Sequence, residues 1–160
     1  MAEQNDTPAA GEKKPQIAVQ RIYVKDISFE APGTPHSFGV EWKPETKVQF
    51  NSGAQKIGDS LYEVVLTINV EASNGEKVAY IAEVQQAGVF FVDGPEAAME
   101  PLLAAQCPGI LFPYARETIS DLVSRGTFPQ MLLQPMNFDS IYIESKRRQQ
   151  KKAAAEAAKH

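Results

Sequence analysis

Hydrophobic and polar residues alternate along four stretches of the chain, a pattern typical of β-strands with one buried face. The first stretch covers residues 17–29, and residues 46–51 form a short second one. The third and fourth, 60–73 and 76–86, flank Asn74-Gly75, a pair favoured at the centre of a two-residue type I′ hairpin turn. The pattern therefore predicts four mostly antiparallel strands.

The first strand carries apolar residues on both of its faces. One parity holds Ile17, Val19, Tyr23, Ile27 and Phe29, whereas Ile22 and Val24 have the other. On this second face we also place Val65 and Ile81, which stand among acidic residues. A mixed apolar and acidic face of this kind predicts contact with another subunit or with a partner protein.

After Asp93-Gly94 the pattern becomes helical. The segment "PEAAMEPLLAAQ" predicts a short helix that is interrupted by Pro101. The next segment, "CPGILF" (107–112), is expected to be an extended crossover, because Pro108 and Gly109 both disfavour helix.

The main helix is then expected to open at Pro113, since proline suits the first helical position. It is expected to end at Gly126, which is a candidate for a left-handed C-cap. The following "TFPQMLLQPMNF" predicts an extended segment. Asn137 or Asp139 then caps a last helix, which we expect to fade into the basic end of the chain.

These elements predict an α+β fold, with a four-stranded antiparallel sheet and helices packed on one face. One domain covers residues 16–145. Residues 1–15 are polar and contain prolines and a glycine, so we expect them to be disordered. Residues 146–160 are basic and alanine-rich, and we expect them to be a mobile tail.

Charge is divided unevenly along the chain. Residues 16–145 hold eight bases against sixteen acids, a net charge of −8, whereas residues 146–160 hold six bases and one acid, a net charge of +5. Phosphate contacts need a basic surface, so the acidic body argues against nucleic acid as the main partner. It favours a basic protein partner instead.

The composition points to a cytoplasmic protein. A single cysteine excludes an internal disulfide, which suits a reducing compartment. The first sixteen residues have no apolar core of the kind that a secretory signal needs. No apolar run is long enough to span a bilayer, so direct membrane insertion is not expected.

A search for catalytic chemistry finds no specific pattern. His36 is the only histidine outside the C-terminus, and a lone loop histidine is usually solvated. Cys107 has no local nucleophile signature, so a packed thiol is the better interpretation. No phosphate-binding, dinucleotide, zinc-protease or serine-hydrolase motif occurs. We therefore expect no enzyme, no cofactor and no metal.

Aromatic residues concentrate near loops and element ends, away from strand centres. Taken singly, each is more often part of a small cluster packed under a loop than part of a site. Taken together, they exceed what one four-stranded layer hides, which favours an apolar binding surface. The set comprises Phe38, Trp42, Phe90, Phe91, Phe112, Tyr114 and Phe128.

Several segments in order along residues 17–143 resemble the SecB family of bacterial protein-export chaperones. They are "RIYVKDISFEAP" (21–32), "YEVVL" (62–66), "EVQQAG" (83–88), "CPGILFPYARETI" (107–119) and "SRGTFPQMLLQPMNFD" (124–139). The resemblance implies a homotetramer built as a dimer of dimers. It also implies an ATP-independent holdase that keeps precursor proteins unfolded and delivers them to the SecA motor.

The resemblance also assigns residues to three surfaces. Polypeptide clients are expected at Phe38, Trp42, Phe90, Ile110, Leu111, Phe112, Tyr114 and Phe128, with residues 107–117 taken as the family's crossover loop. The basic zinc-containing tail of SecA is expected at Asp26, Ile81 and Glu83. Subunit contacts are expected at Ile22, Val24, Val84, Gln86, Ile119 and Leu122.

Two alternatives remain open at this point. One is a SecB-like chaperone that serves a toxin–antitoxin system, and the other is a small α+β ligand-binding domain or enzyme that uses the aromatic cavity. The tail after Lys146 departs from the acidic or glutamine-rich tail expected in the family. Partner contacts of the family's tail are therefore not carried over to this chain.

Overall fold

The computed structural model describes residue 11 and residues 13–159, so most of the segment expected to be disordered lies outside the described residues. Its four strands are β1 (Gln16–Glu30), β2 (Pro44–Gly58), β3 (Leu61–Asn74) and β4 (Lys77–Asp93). They form one antiparallel sheet in the order β1-β4-β3-β2, with three helices after the last strand. The expected α+β fold is confirmed.

The second strand is much longer than its sequence pattern predicts. Hydrogen bonding to β3 runs without interruption from Pro44↔Asn74 to Lys56↔Tyr62, although only 46–51 alternates in hydrophobicity. The strand is exposed along almost its whole length, so burial does not impose a pattern on its sequence. Because β1 and β2 occupy opposite edges of the sheet, residues 31–43 form the crossover between them.

The turn between β3 and β4 differs by one position from the expected hairpin. Asn74 pairs with Lys77, so the central residues are Gly75 and Glu76, and only Gly75 has a positive φ, of 65°. A positive φ at the first central residue alone is the geometry of a type II′ turn. Asn74 instead fixes the crossover, since its amide nitrogen donates to the Glu41 carbonyl and its oxygen accepts from the Lys43 amide.

Two bulges in β1 reverse which residues face the helices. The register shifts between Val19 and Arg21 and again between Val24 and Asp26. The alternation expected from residue parity is therefore wrong between the two bulges, because each extra residue exchanges the two faces of the strand.

Pairing with β4 identifies the two faces of β1. Ile22 and Val24 pair with Gly88 and Gln86 on the side that carries the helices, hereafter the helix side. Tyr23 pairs with Ala87 and lies on the opposite side, hereafter the outer face. Val65, which also pairs with Ala87, shares this outer face, as expected from the sequence.

The expected extended crossover at 107–112 is also wrong, because this segment is helical. Helix α1 (Glu96–Pro101) continues through a π-helical turn, Leu102–Gln106, into α2 (Cys107–Arg125). In that turn the Cys107 amide donates to the Leu102 carbonyl, five residues back. Pro108 then falls in the first turn of α2, where a missing N–H is tolerated.

Pro113 lies inside α2 and does not open it. Helix is retained there because one line of residues, spaced four apart, is fully buried against the sheet. This line consists of Cys107, Leu111, Ala115, Ile119 and Val123, each with 0% exposure. Tertiary packing thus outweighs the local preference of proline.

The end of α2 falls where the sequence predicts it, but the left-handed residue is one position later. Gly126 has φ −72° and Thr127 has φ 59°. The chain then runs irregularly to Asn137, whose side chain accepts a hydrogen bond from the Ser140 amide and caps α3 (Phe138–Ala157). Most of the basic segment after Lys146 therefore belongs to this helix.

The core lies between the helix side of β3 and β4 and the buried line of α2. Alternate residues of β3 from Val64 to Ala72 have no exposed area, as the alternation predicts. In the part of the chain that the structure describes, no helix is long and apolar enough to cross a membrane.

Candidate functional site

Five aromatic side chains from distant parts of the chain meet at one end of the sheet. We call Phe29, Phe38, Trp42, Tyr80 and Phe128 the aromatic cluster. Phe128 is its centre, with ring centroids 5.0 Å from Tyr80, 5.5 Å from Phe38, 5.6 Å from Trp42 and 6.4 Å from Phe29. Such tilted contacts within 7 Å stabilise aromatic pairs beyond the area they bury.

Gly126 permits this arrangement. A Cβ atom at this position would lie 2.5 Å from Cζ of Phe29 and 3.0 Å from the Phe128 ring. A distance of 2.5 Å is shorter than van der Waals contact, so only glycine allows the end of β1 to approach the end of α2 this closely. The left-handed backbone at Thr127 then turns Phe128 back onto the sheet.

The aromatic cluster is buried at its base and open at its top. Tyr80 and Phe128 are 2% and 6% exposed, whereas Phe38 is 51% exposed and the neighbouring Val40 is 62% exposed. Beside it, the crossover and the β3–β4 turn enclose a groove of about 580 Å³ that Trp42 and Val40 help to line. The arrangement offers an extended apolar surface with few directional hydrogen bonds, which suits binding of many different sequences.

A second groove runs between the exposed edge strand β2 and the helices. Phe50 is 40% exposed, and its ring centroid lies 6.3 Å from that of Phe138. Ile141 and Tyr142 of α3 complete the walls of a cavity of about 350 Å³. Sequence reasoning missed this groove, although the alternation of Val48 and Phe50 on a largely exposed strand was the available signal.

The structure brings together only part of the predicted client-binding set. Phe38, Trp42 and Phe128 meet in the aromatic cluster. Expectations for Phe90 and Leu111 are wrong, because both side chains are 0% exposed in the subunit core. Phe112 is 5% exposed and lies behind the second groove, with its ring centroid 5.8 Å from that of Phe138.

Two further residues of that set lie on α2 outside the buried line. Ile110 is half-buried and Tyr114 is 50% exposed. The family's crossover was assigned to residues 107–117 and is also wrong, since residues 31–43 cross the sheet. Phe29 and Tyr80 complete the cluster although the sequence did not mark them, because each reads as an ordinary strand residue.

The predicted SecA-binding residues lie on neighbouring strands of the outer face. Asp26 pairs with Gln85, Ser28 pairs with Glu83, and Ile81 pairs with Glu30. Asp26, Glu83 and Ile81 therefore share one patch, to which Glu30 adds a further exposed carboxylate. Glu83 accepts a hydrogen bond of 3.1 Å from the Asn69 amide, which fixes its carboxylate on the strand.

A charged network stands next to this patch on the outer face. Glu63 of β3 accepts hydrogen bonds from Lys25 Nζ, at 2.7 Å, and from the Tyr23 hydroxyl. These bonds, chiefly the one from Lys25, hold the pKa of Glu63 below its usual range. The bond to Glu63, followed by burial, raises the pKa of Tyr23 to about 12. The network ties the second β1 bulge to β3 across β4.

The predicted subunit-contact residues separate into two groups. Val84 and Ile119 are wholly buried inside the subunit, so the expectation that they touch a neighbouring copy directly is wrong. Ile22, Val24 and Leu122 keep exposed area, Val24 as much as 45%. Gln86 is buried beside Val24, donates to the Tyr23 carbonyl at 3.1 Å, and leaves its Oε1 atom without a partner among the described residues.

Cys107 is placed as a core residue. Its side chain has no exposed area, and burial raises the pKa of the thiol to about 12. The protonated form therefore dominates at neutral pH, which is the opposite of an activated nucleophile. Among the described residues, no group of three or more His, Cys, Asp and Glu side chains has the arrangement of a metal site.

The chain is similar to known proteins in both sequence and structure. The family model for "Preprotein translocase subunit SecB" matches residues 10–150. Protein-export protein SecB of Marinobacter nauticus is 51% identical over 147 residues, covering 91% of this chain and 89% of the relative. Its counterpart from Pseudomonas fluorescens is 48% identical, covering 97% and 98%, and that from Hahella chejuensis is 48% identical over the full length of both chains.

A solved structure shares the fold at much lower identity. The Mycobacterium tuberculosis SecB-like chaperone, in complex with a ChAD peptide from the HigA1 antitoxin, superposes with a TM-score of 0.62. It is 17% identical, and the match covers 75% of this chain and 90% of the other. The family model and the relatives at 48–51% identity together establish that the chain belongs to the SecB family.

Proposed function

We propose that this chain is an ATP-independent holdase that binds non-native precursor polypeptides in the bacterial cytoplasm and delivers them to the SecA translocation motor. The observation that carries the proposal is the aromatic cluster, with a buried base and a half-exposed rim at Phe38 and Val40. Family membership supports it, since the relatives at 48–51% identity bear the protein-export name.

An unfolded client loses conformational entropy when it binds, so its affinity per unit of contact area is low. Several grooves acting on one extended chain compensate for this loss by raising the effective concentration at each. The aromatic cluster and the groove beside Phe50 provide two such sites in one subunit. The single fold thus suits capture of long, sequence-diverse segments.

The holdase proposal is tested by suppression of aggregation without ATP. The wild-type chain is mixed with a chemically denatured model protein, and light scattering is followed after dilution. The variant Phe38→Ser/Val40→Ser should suppress aggregation several-fold less well, because the open rim of the aromatic cluster loses its apolar area. The matched control Ile57→Ser/Ile143→Ser removes two residues that are each 52% exposed at other places.

Equal suppression by both variants would place client binding elsewhere. A wild-type chain that leaves aggregation unchanged would contradict the holdase proposal itself. A fall in melting temperature of the rim variant alone would identify Phe38 and Val40 as structural residues.

We place the subunit contacts of a homotetramer, arranged as a dimer of dimers, along β1 and α2. Val19, Val24 and Ile27 are 45–46% exposed on the helix side of edge strand β1, and no described helix covers them. Tyr114 and Leu122 add apolar area on α2. Exposed apolar side chains that are grouped on one face favour contact with another protein chain.

Native mass spectrometry tests the assembly. We expect a mass of four 17.6 kDa chains, and Val24→Asp should shift it toward smaller species, since an unpaired charge in a buried contact is costly. Thr46→Asp on exposed β2 is the control. A monodisperse wild-type monomer at micromolar concentration would refute the tetramer.

SecA docking is proposed for the patch of Asp26, Glu30, Ile81 and Glu83 on the outer face. Charge complementarity with a basic partner acts mainly on the association rate and is screened by salt. Asp26→Lys/Glu83→Lys should therefore abolish binding of the basic SecA tail while the tetramer mass and aggregation suppression stay unchanged. Glu41→Lys/Glu76→Lys makes the same charge change at exposed positions near the crossover.

Salt-insensitive binding in isothermal titration calorimetry, or full SecA-tail binding by the Asp26→Lys/Glu83→Lys variant, would show that SecA docks elsewhere on the protein.

The toxin–antitoxin alternative has weaker support. The antitoxin-bound chaperone is only 17% identical to this chain, whereas the export relatives are 48–51% identical.

A further inference from the structure

The second half of α3 carries a dense basic segment, "KRRQQKK" at residues 146–152, with five bases in seven positions. From Arg147 onward every described residue of the helix is exposed. The acidic body argues against nucleic acid, but that argument does not extend to a helix that protrudes from it with the opposite charge. Short runs rich in lysine and arginine are typical of nucleic-acid-binding surfaces.

Four of the five bases of this segment lie on one side of the helix. Successive residues are about 100° apart around an α-helix, so Arg147, Arg148, Lys151 and Lys152 fall within an arc of about 140°. On the same projection, the α3 residues that line the groove shared with β2 cover an arc of about 140°, from Ile141 to Lys146, and this arc overlaps that of the four bases only at Lys152. We call these four bases the basic stripe; Arg147, Arg148 and Lys151 lie outside the groove-lining arc, and Lys152 lies at its border.

Neither salt bridges nor the helix dipole account for the basic stripe. Arg148 pairs with Glu144 at 3.2 Å, whereas Arg147, Lys151 and Lys152 have no salt-bridge partner in the described part of the chain. Bases favour the last turn of a helix, but α3 ends at Ala157 and its last turn holds none. Like charges four residues apart, as at 147/151 and 148/152, instead weaken an isolated helix.

The chemistry around the stripe selects among anionic partners. Apolar residues after Ile143 are all alanines, so the segment lacks the large side chains with which interfacial helices enter a bilayer. The pairs 147/151 and 148/152 form two rows of bases along the helix. A nucleic-acid backbone offers phosphate oxygens at a regular, close spacing that such rows can contact. Arginine guanidinium groups in addition bind phosphate in a bidentate manner.

We propose that the basic stripe of α3 binds the phosphate backbone of structured RNA. The acidic body repels the same polyanion, so contact is confined to the protruding helix and leaves both grooves and the outer face free. A holdase whose basic stripe binds RNA is held near RNA-rich particles while it captures clients. The proposal is independent of client binding, because no stripe residue lines the aromatic cluster.

Fluorescence anisotropy with a labelled RNA hairpin tests the proposal on the full-length protein. For about four phosphate contacts, the wild-type affinity should fall on the order of 100-fold between 50 and 200 mM salt. Arg147→Gln/Lys151→Gln/Lys152→Gln should bind at least tenfold more weakly. Lys43→Gln/Lys47→Gln/Lys56→Gln removes the same charge at exposed positions outside α3 and should retain wild-type affinity.

Circular dichroism and aggregation suppression should be the same for the three proteins, since glutamine and these bases have similar helix propensity. Equal RNA binding by the stripe and control variants would overturn the proposal. So would absence of wild-type binding at 50 mM salt. Stronger binding to phosphatidylglycerol vesicles, or to a polyglutamate peptide, than to the hairpin at equal charge concentration would assign the stripe to a lipid or protein partner and likewise overturn it.

Discussion

The start of α2 and the crossover at 31–43 are similar in composition and opposite in structure. Both contain prolines, glycine and aromatic residues, yet the first is a helix with one buried face, whereas the second is a half-open segment whose regular structure is a single 3-10 helix, His36–Gly39. The difference lies in periodicity: 107–123 places a small or apolar residue at every fourth position, and the crossover has no such repeat. Burial follows the repeat, and the segment without one keeps its aromatic side chains accessible.

The largest effect that separates the two regions is expected in stability. Leu111→Ala should lower the free energy of unfolding by about 2–5 kcal/mol, because it empties a fully buried position in the α2 line. Val40→Ala, in the crossover, should change it by less than about 0.5 kcal/mol. Urea denaturation at fixed protein concentration measures both. A comparable loss in the two variants would erase the distinction between core helix and open crossover.

A smaller effect is expected at Gly126, just after α2, which packs against the aromatic cluster that the crossover helps to form. Gly126→Ala should cost about 1–3 kcal/mol, since its Cβ would overlap the Phe29 ring and force the aromatic cluster apart. Client binding should weaken in parallel. Gly39→Ala in the crossover is the control, because a Cβ there meets nothing within 4 Å. An unchanged melting temperature for Gly126→Ala would mean that the close approach of Phe29 is not needed.

The third effect concerns binding alone. Phe38→Ala should weaken client affinity by about 1 kcal/mol, roughly fivefold, with little change in stability. The single tryptophan, Trp42, reports this directly, because its ring lies 5.6 Å from Phe128 and 6.4 Å from Tyr80. Titration with an apolar peptide should change its emission saturably, whereas a serine-substituted peptide should not. Unchanged Trp42 emission despite peptide binding would show that the peptide binds away from the crossover.

The smallest effect on the free energy of unfolding is expected on the outer face, away from both the start of α2 and the crossover. Lys25 and Tyr23 lower the pKa of Glu63 below 4.5, so the network stabilises the protein above that value and the contribution is lost as pH falls through the folded-state pKa. Tyr23→Phe should remove about 0.5–1 kcal/mol at pH 7. The difference from wild type should shrink toward pH 3 in acid titrations of unfolding. A constant difference across that range would show that the hydroxyl acts independently of the Glu63 charge.

Strand number, order of elements and fold class could be predicted because alternation and helix periodicity are local consequences of burial. The length of β2 could not be predicted, because burial imposes no alternation on an exposed strand, and only residues 46–51 of it alternate in hydrophobicity. The helix at 107–113 could not be predicted either, because local propensity for Pro108 and Pro113 opposed a packing gain that depends on the assembled sheet.

The candidate site was predictable in part for the same reason. Phe38 and Trp42 stood out as aromatics in a loop, whereas Asp26 and Glu83 were assigned through the family resemblance. Phe29, Tyr80 and Gly126 complete the cluster through contacts between residues more than forty positions apart, which no local pattern encodes. The family resemblance named the right chaperone class but placed its crossover on the wrong segment.

Each of the two β1 bulges adds one unpaired residue, so the first changes which residue parity faces the helices and the second restores it. Gln20 is the extra residue of the first bulge, so deleting it would leave Arg21–Val24 with their present partners and faces and would bring Ile22 and Val24 into simple alternation with Val19. Deleting Lys25 as well would remove the second bulge and leave Tyr23, Ile27 and Phe29 on their present faces, but Glu63 would lose its lysine donor. The length of edge strand β1 can thus vary by two residues without changing the faces of its two ends or of the four positions between the bulges, and the identity of Lys25 matters only through its bond to Glu63.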